Sequence, residues 1–216
     1  ILVHYQVYLG HKEYTKAELT EDSVDPSPIK QFKKWFDEAI RSELLEPNAM
    51  ILSTVNEHNI PFPRSVLLKA FDERGFVFYT NYRSRKASHI SQNSNVSLLF
   101  PWYGLERQVA IIGKAEKVTP RESLNYFMTR PKGSQFGARV SHQSQVISSR
   151  SILEVKLAEM KEKFAKGKIP LPDFWGGYRV IPKSIEFWQG RKNRLHDRIL
   201  FEQEDNKSWK ISRLSP

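Results

Sequence analysis

The sequence of 216 residues contains no cysteine. This absence excludes disulfides, thiol nucleophiles and cysteine-ligated metal sites, and it fits a reducing, cytoplasmic location. No apolar run approaches the ~20 residues of a membrane-spanning helix, and no signal peptide is visible. Neither a G-x-G-x-x-G motif nor a regular alternation of strands and helices occurs, which disfavours a dinucleotide-binding Rossmann fold.

The chain has fewer acidic than basic residues. The chain carries 34 lysines and arginines against 24 acidic residues, a formal net charge of +10. Such a balance favours anionic partners, namely nucleic acid, a membrane surface or phosphorylated small molecules. The cations are scattered and form no long basic run, which weakens the case for a nucleic-acid-binding tail.

Hydrophobic residues make up 39% of the chain, enough for a core. Residues 1–24 are polar and poorly periodic, so we predict a partly flexible arm there and a single domain over residues 25–216. Short strand patterns, such as those over residues 49–55 and 95–102, are joined by short turns. They predict an antiparallel β-barrel or sandwich with helices around it.

The stretch from Arg64 to Lys86 combines a predicted hairpin with a helix start. Its two strands, predicted over residues 62–71 and 76–80, are joined by the turn chemistry of residues 72–75. Ser84 can then cap a short helix that begins with Arg85 and Lys86. Exposed N–H groups at a helix start, beside two cations, favour a bound phosphate. Ordinary solvated cations on a hairpin would explain the same pattern, and both interpretations stay open at this point.

Two further groups could bind anions. Tyr126 and Arg130 are four residues apart on a predicted helix, and Ser134 follows soon after; together they could hold one phosphate, or form only a surface Tyr–Arg stack. A strand predicted over residues 194–202 would place three side chains on one face. These three are Arg194, His196 and Arg198, and their face suits an anion or an electron-rich ring. A purely structural role for His196 at a sheet edge is the alternative.

A set of short motifs occurs in an order that resembles the pyridoxine (pyridoxamine) 5′-phosphate oxidase family. Each motif is weak alone, but the ordered set is specific and extends from about Tyr14 to the end of the chain. The motifs are RSVLLK at 64–69, FYTN at 78–81, SRK at 84–86, ERQV at 106–109, FMTRP at 127–131, SHQS at 141–144, FWGG at 174–177, EFWQG at 186–190 and RLHDR at 194–198.

The resemblance implies a mainly β fold, an FMN-binding split β-barrel of antiparallel Greek-key type with surrounding α-helices. It implies a homodimer with flavin at the subunit interface, and no nucleic-acid or membrane partner. The implied reaction oxidises pyridoxamine 5′-phosphate or pyridoxine 5′-phosphate to pyridoxal 5′-phosphate. Dioxygen would accept the electrons and yield hydrogen peroxide. No metal site is implied.

The resemblance also implies roles for individual residues. Arg194 and His196 would be the catalytic residues. His11 stands where the family pattern leads us to expect arginine. The implied substrate contacts are Tyr14, Lys69, Tyr126, Arg130, Ser134, Arg194 and His196. The implied FMN contacts are Arg64, Ser65, Val66, Leu67, Leu68, Lys69, Tyr79, Thr80, Arg85, Lys86, Gln108, Gln143, Ser144, Trp188 and Arg198.

Two alternatives compete with this hypothesis. Another split-barrel flavoprotein, such as a flavin reductase, would use the flavin contacts but has no need of Tyr126, Arg130 and Ser134. A non-enzymatic, basic β-barrel could instead bind single-stranded nucleic acid, with aromatic side chains as stacking platforms. Flavin bound to the purified protein would separate the second alternative from the other two.

Overall fold

The computed structural model describes residues 13–141, 143–165 and 167–216. Within these ranges the chain forms nine strands and five α-helices. The strands are β1 (Ala49–Val55), β2 (Pro61–Leu67), β3 (Ala70–Asp72), β4 (Gly75–Asn81), β5 (Asn95–Trp102), β6 (Arg107–Lys117), β7 (Trp175–Gln189), β8 (Asp197–Gln203) and β9 (Trp209–Arg213). The helices are α1 (Pro28–Arg41), α2 (Arg85–Gln92), α3 (Pro120–Thr129), α4 (Lys132–Val140) and α5 (Ser151–Lys163).

All nine strands belong to one antiparallel sheet. Seven follow the order β2-β1-β5-β6-β7-β4-β3, and β8 and β9 extend the sheet from β7. The mainly β, antiparallel fold with surrounding helices is therefore confirmed. The strand patterns predicted for residues 49–55 and 95–102 match β1 and β5.

The long strand β7 joins the two parts of this sheet. Its first half pairs with β4, its second half pairs with β8, and β6 accompanies both halves. The register between β6 and β7 shifts at Ile112 and Gly113, opposite Pro182. Proline has no N–H to donate, so such an irregularity is where a strand tolerates it. A Cβ at Gly113 would lie 2.2 Å from the Ile181 carbonyl oxygen, so only glycine fits this close approach.

Helix α1 supplies the centre of the core. Ser27 caps it by accepting the backbone N–H of Lys30, and Pro28 occupies its first turn, as the sequence predicts. Phe32 is fully buried, and its ring lies 4.9 Å from each of the rings of Phe76 and Phe100, which come from β4 and β5. Burying each such side chain contributes about 1.5–3 kcal/mol, so this aromatic cluster fastens the helix to the sheet.

The prediction of one continuous strand over residues 62–71 is wrong. The chain breaks between β2 and β3, where the N–H of Leu68 donates to the Asn48 carbonyl and that of Lys69 donates to the Val77 carbonyl, each at 2.8 Å. The backbone thus leaves β1 and joins β4 within two residues. The predicted turn at residues 72–75 is present, but β2 pairs with β1 rather than with β4.

The prediction of a strand over residues 194–202 is also wrong at its start. Strand β8 begins at Asp197, and a 3₁₀ turn covers Lys192–Arg194. Asn193 and Arg194 have left-handed backbone angles, with φ of 55° and 60°. Alternation along an extended strand therefore does not place Arg194 and His196 on one face with Arg198.

Part of the predicted N-terminal arm contacts the sheet. The N–H groups of Thr15 and Lys16 donate to a carboxylate oxygen of Glu106, and Leu19 is buried. Residues 1–12 of the arm, including His11, lie outside the described residues, as does His142 of the SHQS motif. In the described ranges no helix is long and apolar enough to cross a membrane.

Candidate active site

A cavity of about 450 Å³ lies between strands β2 and β4 and helices α2, α3 and α4. Its volume suits a small molecule or cofactor. Eleven of the residues implied by the family motifs line it. They are Ser65, Val66, Leu67, Lys69, Tyr79, Thr80, Lys86, Tyr126, Arg130, Ser134 and Gln143.

One end of the cavity lies at the start of α2. Ser84 caps this helix by accepting the N–H of Ala87, as predicted. The Lys86 ammonium donates to Thr80 Oγ1 at 3.2 Å and to Gln143 Oε1 at 2.8 Å. The N–H of Arg85 donates to Ser144 Oγ. Hydroxyls, amides and a helix N-terminus thus converge at this end, which is the arrangement that binds phosphate.

The cations near this end lack acidic partners; Lys86 lines the cavity, whereas Arg64 and Arg85 lie beside Lys86 and outside the cavity lining. Among the described residues, no carboxylate lies within salt-bridge distance of Arg64, Arg85 or Lys86. Burial and, second, the charge of Arg64 lower the pKa of Lys86 to about 8. Burial and the charge of Arg85 lower the pKa of Arg64. A bound phosphate dianion would relieve this repulsion, so the residues fit the phosphate of FMN.

A second cavity of about 380 Å³ adjoins the first and is also lined by Lys69, Tyr126, Arg130 and Ser134. The guanidinium of Arg130 lies 4.8 Å from the ring centre of Trp175. In the described part of the chain its Nη1 is buried without a hydrogen-bond partner, and burial lowers the pKa of the guanidinium. A buried donor without a partner is costly. This nitrogen therefore indicates a site for an anionic ligand.

Helical spacing is not what brings Tyr126 and Arg130 together. Helix α3 ends at Thr129, and Arg130 has an extended backbone with ψ of 146°. The reason is Pro131, because a residue that precedes proline avoids the helical region. Tyr126 stacks on Tyr79 with ring centres 4.0 Å apart, and Tyr79 stacks on Trp175 at 5.4 Å. Tyr126 therefore belongs to a stack of three aromatic rings, with Tyr79 and Trp175, rather than to a simple stack with Arg130.

A second group of implied residues lies outside this cavity. Gln108 and Arg198 are the direct neighbours of Trp188 across β6, β7 and β8. The ring of His196 lies 4.6 Å from that of Trp188 and 5.7 Å from that of Tyr14. We call these five residues the strand group. None of them lines the cavity of the same chain, as far as the described residues show.

An ion pair and a backbone hydrogen bond hold two side chains of the strand group in place. Arg198 forms a two-pronged ion pair with Glu186, at 2.7 and 3.1 Å. The Nδ1 of His196 accepts the backbone N–H of Arg191 at 3.1 Å. Its Nε2 therefore carries the proton of the neutral ring. Burial and the charge of Arg194 lower the pKa of His196, which favours that neutral form. Arg194 itself is exposed.

Several lining residues were not predicted, although three of them stand inside motifs that the sequence shows. Asn81 ends the FYTN motif, Ser141 begins the SHQS motif, and Trp175 lies in the FWGG motif. Their place in these motifs was the available signal. Leu68, by contrast, was predicted as a contact, and its side chain is 4% exposed in the hydrophobic core. The other lining residues that were not predicted are Gly137 and Ala138.

Two family models match the chain. Residues 36–164 match "Pyridoxamine 5′-phosphate oxidase", and residues 175–216 match "Pyridoxine 5′-phosphate oxidase C-terminal dimerisation region". The second match covers β7, β8 and β9, and with them Trp188, His196 and Arg198 of the strand group.

Similar proteins have related names. The chain is 56% identical over 204 residues to the pyridoxine/pyridoxamine 5′-phosphate oxidase of Aliarcobacter butzleri, covering 94% of this chain and 96% of that protein. It is 58% identical over 205 residues to pyridoxine/pyridoxamine 5′-phosphate oxidase 2 of Hydrogenovibrio crunogenus, covering 95% and 96%.

Solved structures share the fold. PhzG from Burkholderia lata, in complex with tetrahydrophenazine-1-carboxylic acid, has a TM-score of 0.86 at 29% identity and covers 90% of this chain and 95% of that one. A pyridoxamine 5′-phosphate oxidase-related, FMN-binding protein from Nostoc punctiforme has a TM-score of 0.72 at 15% identity, covering 89% and 100%. The second likeness concerns the fold alone.

Proposed function

Since this chain belongs to the pyridoxamine 5′-phosphate oxidase family, we propose which of its residues bind the cofactor and which bind the substrate. The protein is an FMN-dependent oxidoreductase that converts pyridoxamine or pyridoxine 5′-phosphate to pyridoxal 5′-phosphate, and it forms a homodimer. Dioxygen as the electron acceptor and hydrogen peroxide as the product belong to the proposal.

The observation that carries the proposal is the presence of two cationic ends, each without an acidic partner among the described residues. Lys86 lines one end, with Arg64 and Arg85 beside it, and the other end has Arg130 with its buried Nη1. Substrate and FMN are both phosphate monoesters, each with a charge near −2 at neutral pH. Lys69 lines both cavities and could contribute to both sites.

We assign the end at helix α2 to FMN. Arg64, Lys86 and Thr80 would hold its phosphate, with the N-terminal N–H groups of α2. When bound, FMN supplies the hydride acceptor for the oxidation. The protein's own task is to bind and orient, which explains why the proposed mechanism needs no nucleophile or metal ion.

We assign the other end to the substrate. Arg130 Nη1 would gain the hydrogen-bond acceptor that it lacks, and the hydroxyls of Tyr126 and Ser134 would bind the same phosphate. A flavin reductase would not need this second anion site. The pair of sites therefore favours the oxidase over the reductase among split-barrel flavoproteins.

We further propose that the flavin lies at the subunit interface. The strand group lies outside the cavity of its own chain, and most of it falls in the dimerisation region. In a two-fold dimer the same patch faces its counterpart on the other subunit. Such an axis could bring the strand group of one subunit to the cavity of the other, where Gln108, Trp188 and Arg198 would contact FMN.

Arg194, next to the strand group in sequence, and His196, a member of that group, would act on the substrate, with Tyr14 as a further contact. Arg194 would orient the pyridine ring with its planar cation. His196 would donate its Nε2–H to a polar substituent of the ring, because its Nδ1 is already occupied by the N–H of Arg191. It therefore binds as a donor rather than as a base.

The decisive experiment is an absorbance spectrum of the purified protein, followed by peroxide measurement after addition of pyridoxamine 5′-phosphate. We expect FMN rather than FAD in the released cofactor, and stoichiometric peroxide. Absence of flavin after reconstitution would refute the proposal. Flavin without substrate-dependent peroxide, but with rapid oxidation of reduced nicotinamide, would favour the reductase.

Sedimentation tests the interface. We expect a dimer that loses flavin on dissociation, and a flavin-saturated monomer would contradict the proposed location. The cytoplasmic location also remains a proposal, which cell fractionation would test.

A further inference from the structure

A buried hydrogen-bond chain lies directly behind the proposed phosphate site. Arg64 projects from β2 towards β1, and its Nη1 donates to the Leu52 carbonyl at 3.2 Å and to Thr54 Oγ1 at 2.7 Å. Thr54 Oγ1 also lies 3.0 Å from Nδ1 of His89, on helix α2. Thr54 is 0% exposed and His89 is 7% exposed.

The direction of this chain follows from its donors. A guanidinium only donates, so the Thr54 oxygen must accept from Arg64. A hydroxyl oxygen can accept two hydrogen bonds, so the tautomer of His89 sets the second step: with the ring proton on Nε2, the Thr54 hydroxyl donates to Nδ1. Burial, and then the charges of Arg64 and Arg85, lower the pKa of His89, which agrees with a neutral ring whose Nδ1 is unprotonated.

The chain connects the separate elements that form the phosphate site. Arg64 comes from β2, Thr54 from β1, and His89 lies one turn beyond Lys86 on α2. The His89 ring also packs against Phe62 of β2, with centres 5.0 Å apart. One buried hydroxyl therefore fixes the guanidinium relative to the helix N-terminus.

We propose that Thr54 and His89 are positioning residues that hold Arg64 in the geometry that binds the FMN phosphate. This inference rests on the proposed function, because it takes Arg64 to be a phosphate ligand. The physical reason is preorganisation: a long, flexible side chain that is ordered before binding loses less entropy when the ligand arrives. Neither residue belongs to the set of contacts implied by the sequence motifs.

The test compares FMN with riboflavin, which has the same ring system but no phosphate. Apoprotein is titrated with each ligand, and quenching of flavin fluorescence reports the dissociation constant. Thr54→Val keeps the shape but removes the hydroxyl, and we expect about tenfold weaker FMN binding. Riboflavin binding should not change. Thr54→Ser keeps the hydroxyl and serves as the matched control with nearly wild-type affinity.

Two further measurements sharpen the result. In an Arg64→Ala background, Thr54→Val should cause no additional loss of FMN affinity, because the group that it positions is gone. His89→Leu should resemble Thr54→Val, whereas His89→Asn, which keeps an acceptor near Nδ1, should largely restore affinity. If Thr54→Val does not fold, the comparison of His89→Leu with His89→Asn tests the positioning role instead.

The outcomes are distinguishable. If the wild-type protein binds FMN and Thr54→Val binds it equally well, the positioning role is refuted while the proposed function stands. Equal weakening of FMN and riboflavin would also refute it, because a general packing defect affects both ligands. If the wild-type protein binds neither flavin, the proposed function fails and the inference falls with it.

Discussion

Replacing Arg130 by methionine should separate the two proposed phosphate sites. Methionine keeps much of the apolar length of arginine but removes the charge and all donors. Losing one hydrogen bond to a charged group costs about 1.5–3 kcal/mol. Substrate binding should therefore weaken about 10- to 150-fold. FMN affinity should stay unchanged, because the cations proposed to bind its phosphate, including Lys86, lie at the other end of the cavity.

The structure also predicts the effect of this substitution on stability. The unpartnered Arg130 Nη1 costs the ligand-free protein about 1–3 kcal/mol. The contact of the guanidinium with Trp175 offsets about 0.5–2 kcal/mol of that cost. The two effects are of similar size, so the free energy of unfolding should change by about 1 kcal/mol or less. A large loss of substrate affinity in a protein of nearly unchanged stability is thus the expected signature.

The assay is calorimetric titration of FMN-loaded protein with pyridoxal 5′-phosphate, the product, which does not turn over. Arg139→Met is the matched control. Arg139 also has a buried guanidinium nitrogen, Nε, without a hydrogen-bond partner among the described residues, but its Nη1 donates to the Pro170 carbonyl and it does not line the cavity. Its substitution should leave product affinity intact. The reasoning is refuted if Arg130→Met strips the flavin and binds product normally, since the two phosphate sites would then be exchanged.

Three other perturbations give distinct readouts. FMN affinity should fall above about pH 8 and approach a tenfold loss per pH unit. The pKa of Lys86 in the free site is about 8, so above that pH the binding of the dianion requires uptake of a proton. Fluorescence titrations should show this slope for the wild-type protein and not for Lys86→Met. Arg194→Ala should lower kcat/KM while the protein stays yellow, whereas Arg198→Ala should first lose FMN affinity; stopped-flow reduction at wild-type rate in Arg194→Ala would disprove its orienting role. Gly75→Ala should destabilise the fold by about 1–3 kcal/mol in urea unfolding, since φ is 130° and its Cβ would lie 2.1 Å from the Val180 oxygen. Gly133→Ala, with nothing within 4 Å, should instead gain about 0.5–1 kcal/mol, and equal losses at both glycines would count against this explanation.

Features that depend on neighbouring residues could be predicted from the sequence. The caps at Ser27 and Ser84 and the capping box of Thr119 with Glu122 all follow local patterns that the sequence itself shows. Each involves a side chain and a backbone N–H only two or three residues away, so local sequence is enough to specify it. The ordered motifs similarly indicated the family, because their residue types and order are properties of the chain alone.

Features that depend on distant partners could not be predicted in this way. The break after β2 exists because Leu68 bonds to residue 48, directly before β1, and Lys69 bonds to residue 77 in β4. The left-handed backbone at Arg194 overrides the alternating pattern that suggested a strand. Propensity is a weak guide wherever such tertiary contacts compete with it.

By itself, the sequence determined the family, the capped helices and the residue types suited to two phosphates. Only the tertiary structure decided where those residues lie. It gathered Lys86, Thr80 and Gln143 at one end, and at the other it left Arg130 Nη1 without a hydrogen-bond partner among the described residues. It also placed Thr54 and His89 behind Arg64, although 35 residues separate them along the chain. The physical reason is that burial and hydrogen-bond satisfaction are properties of the packed structure, and periodicity along the chain does not record them.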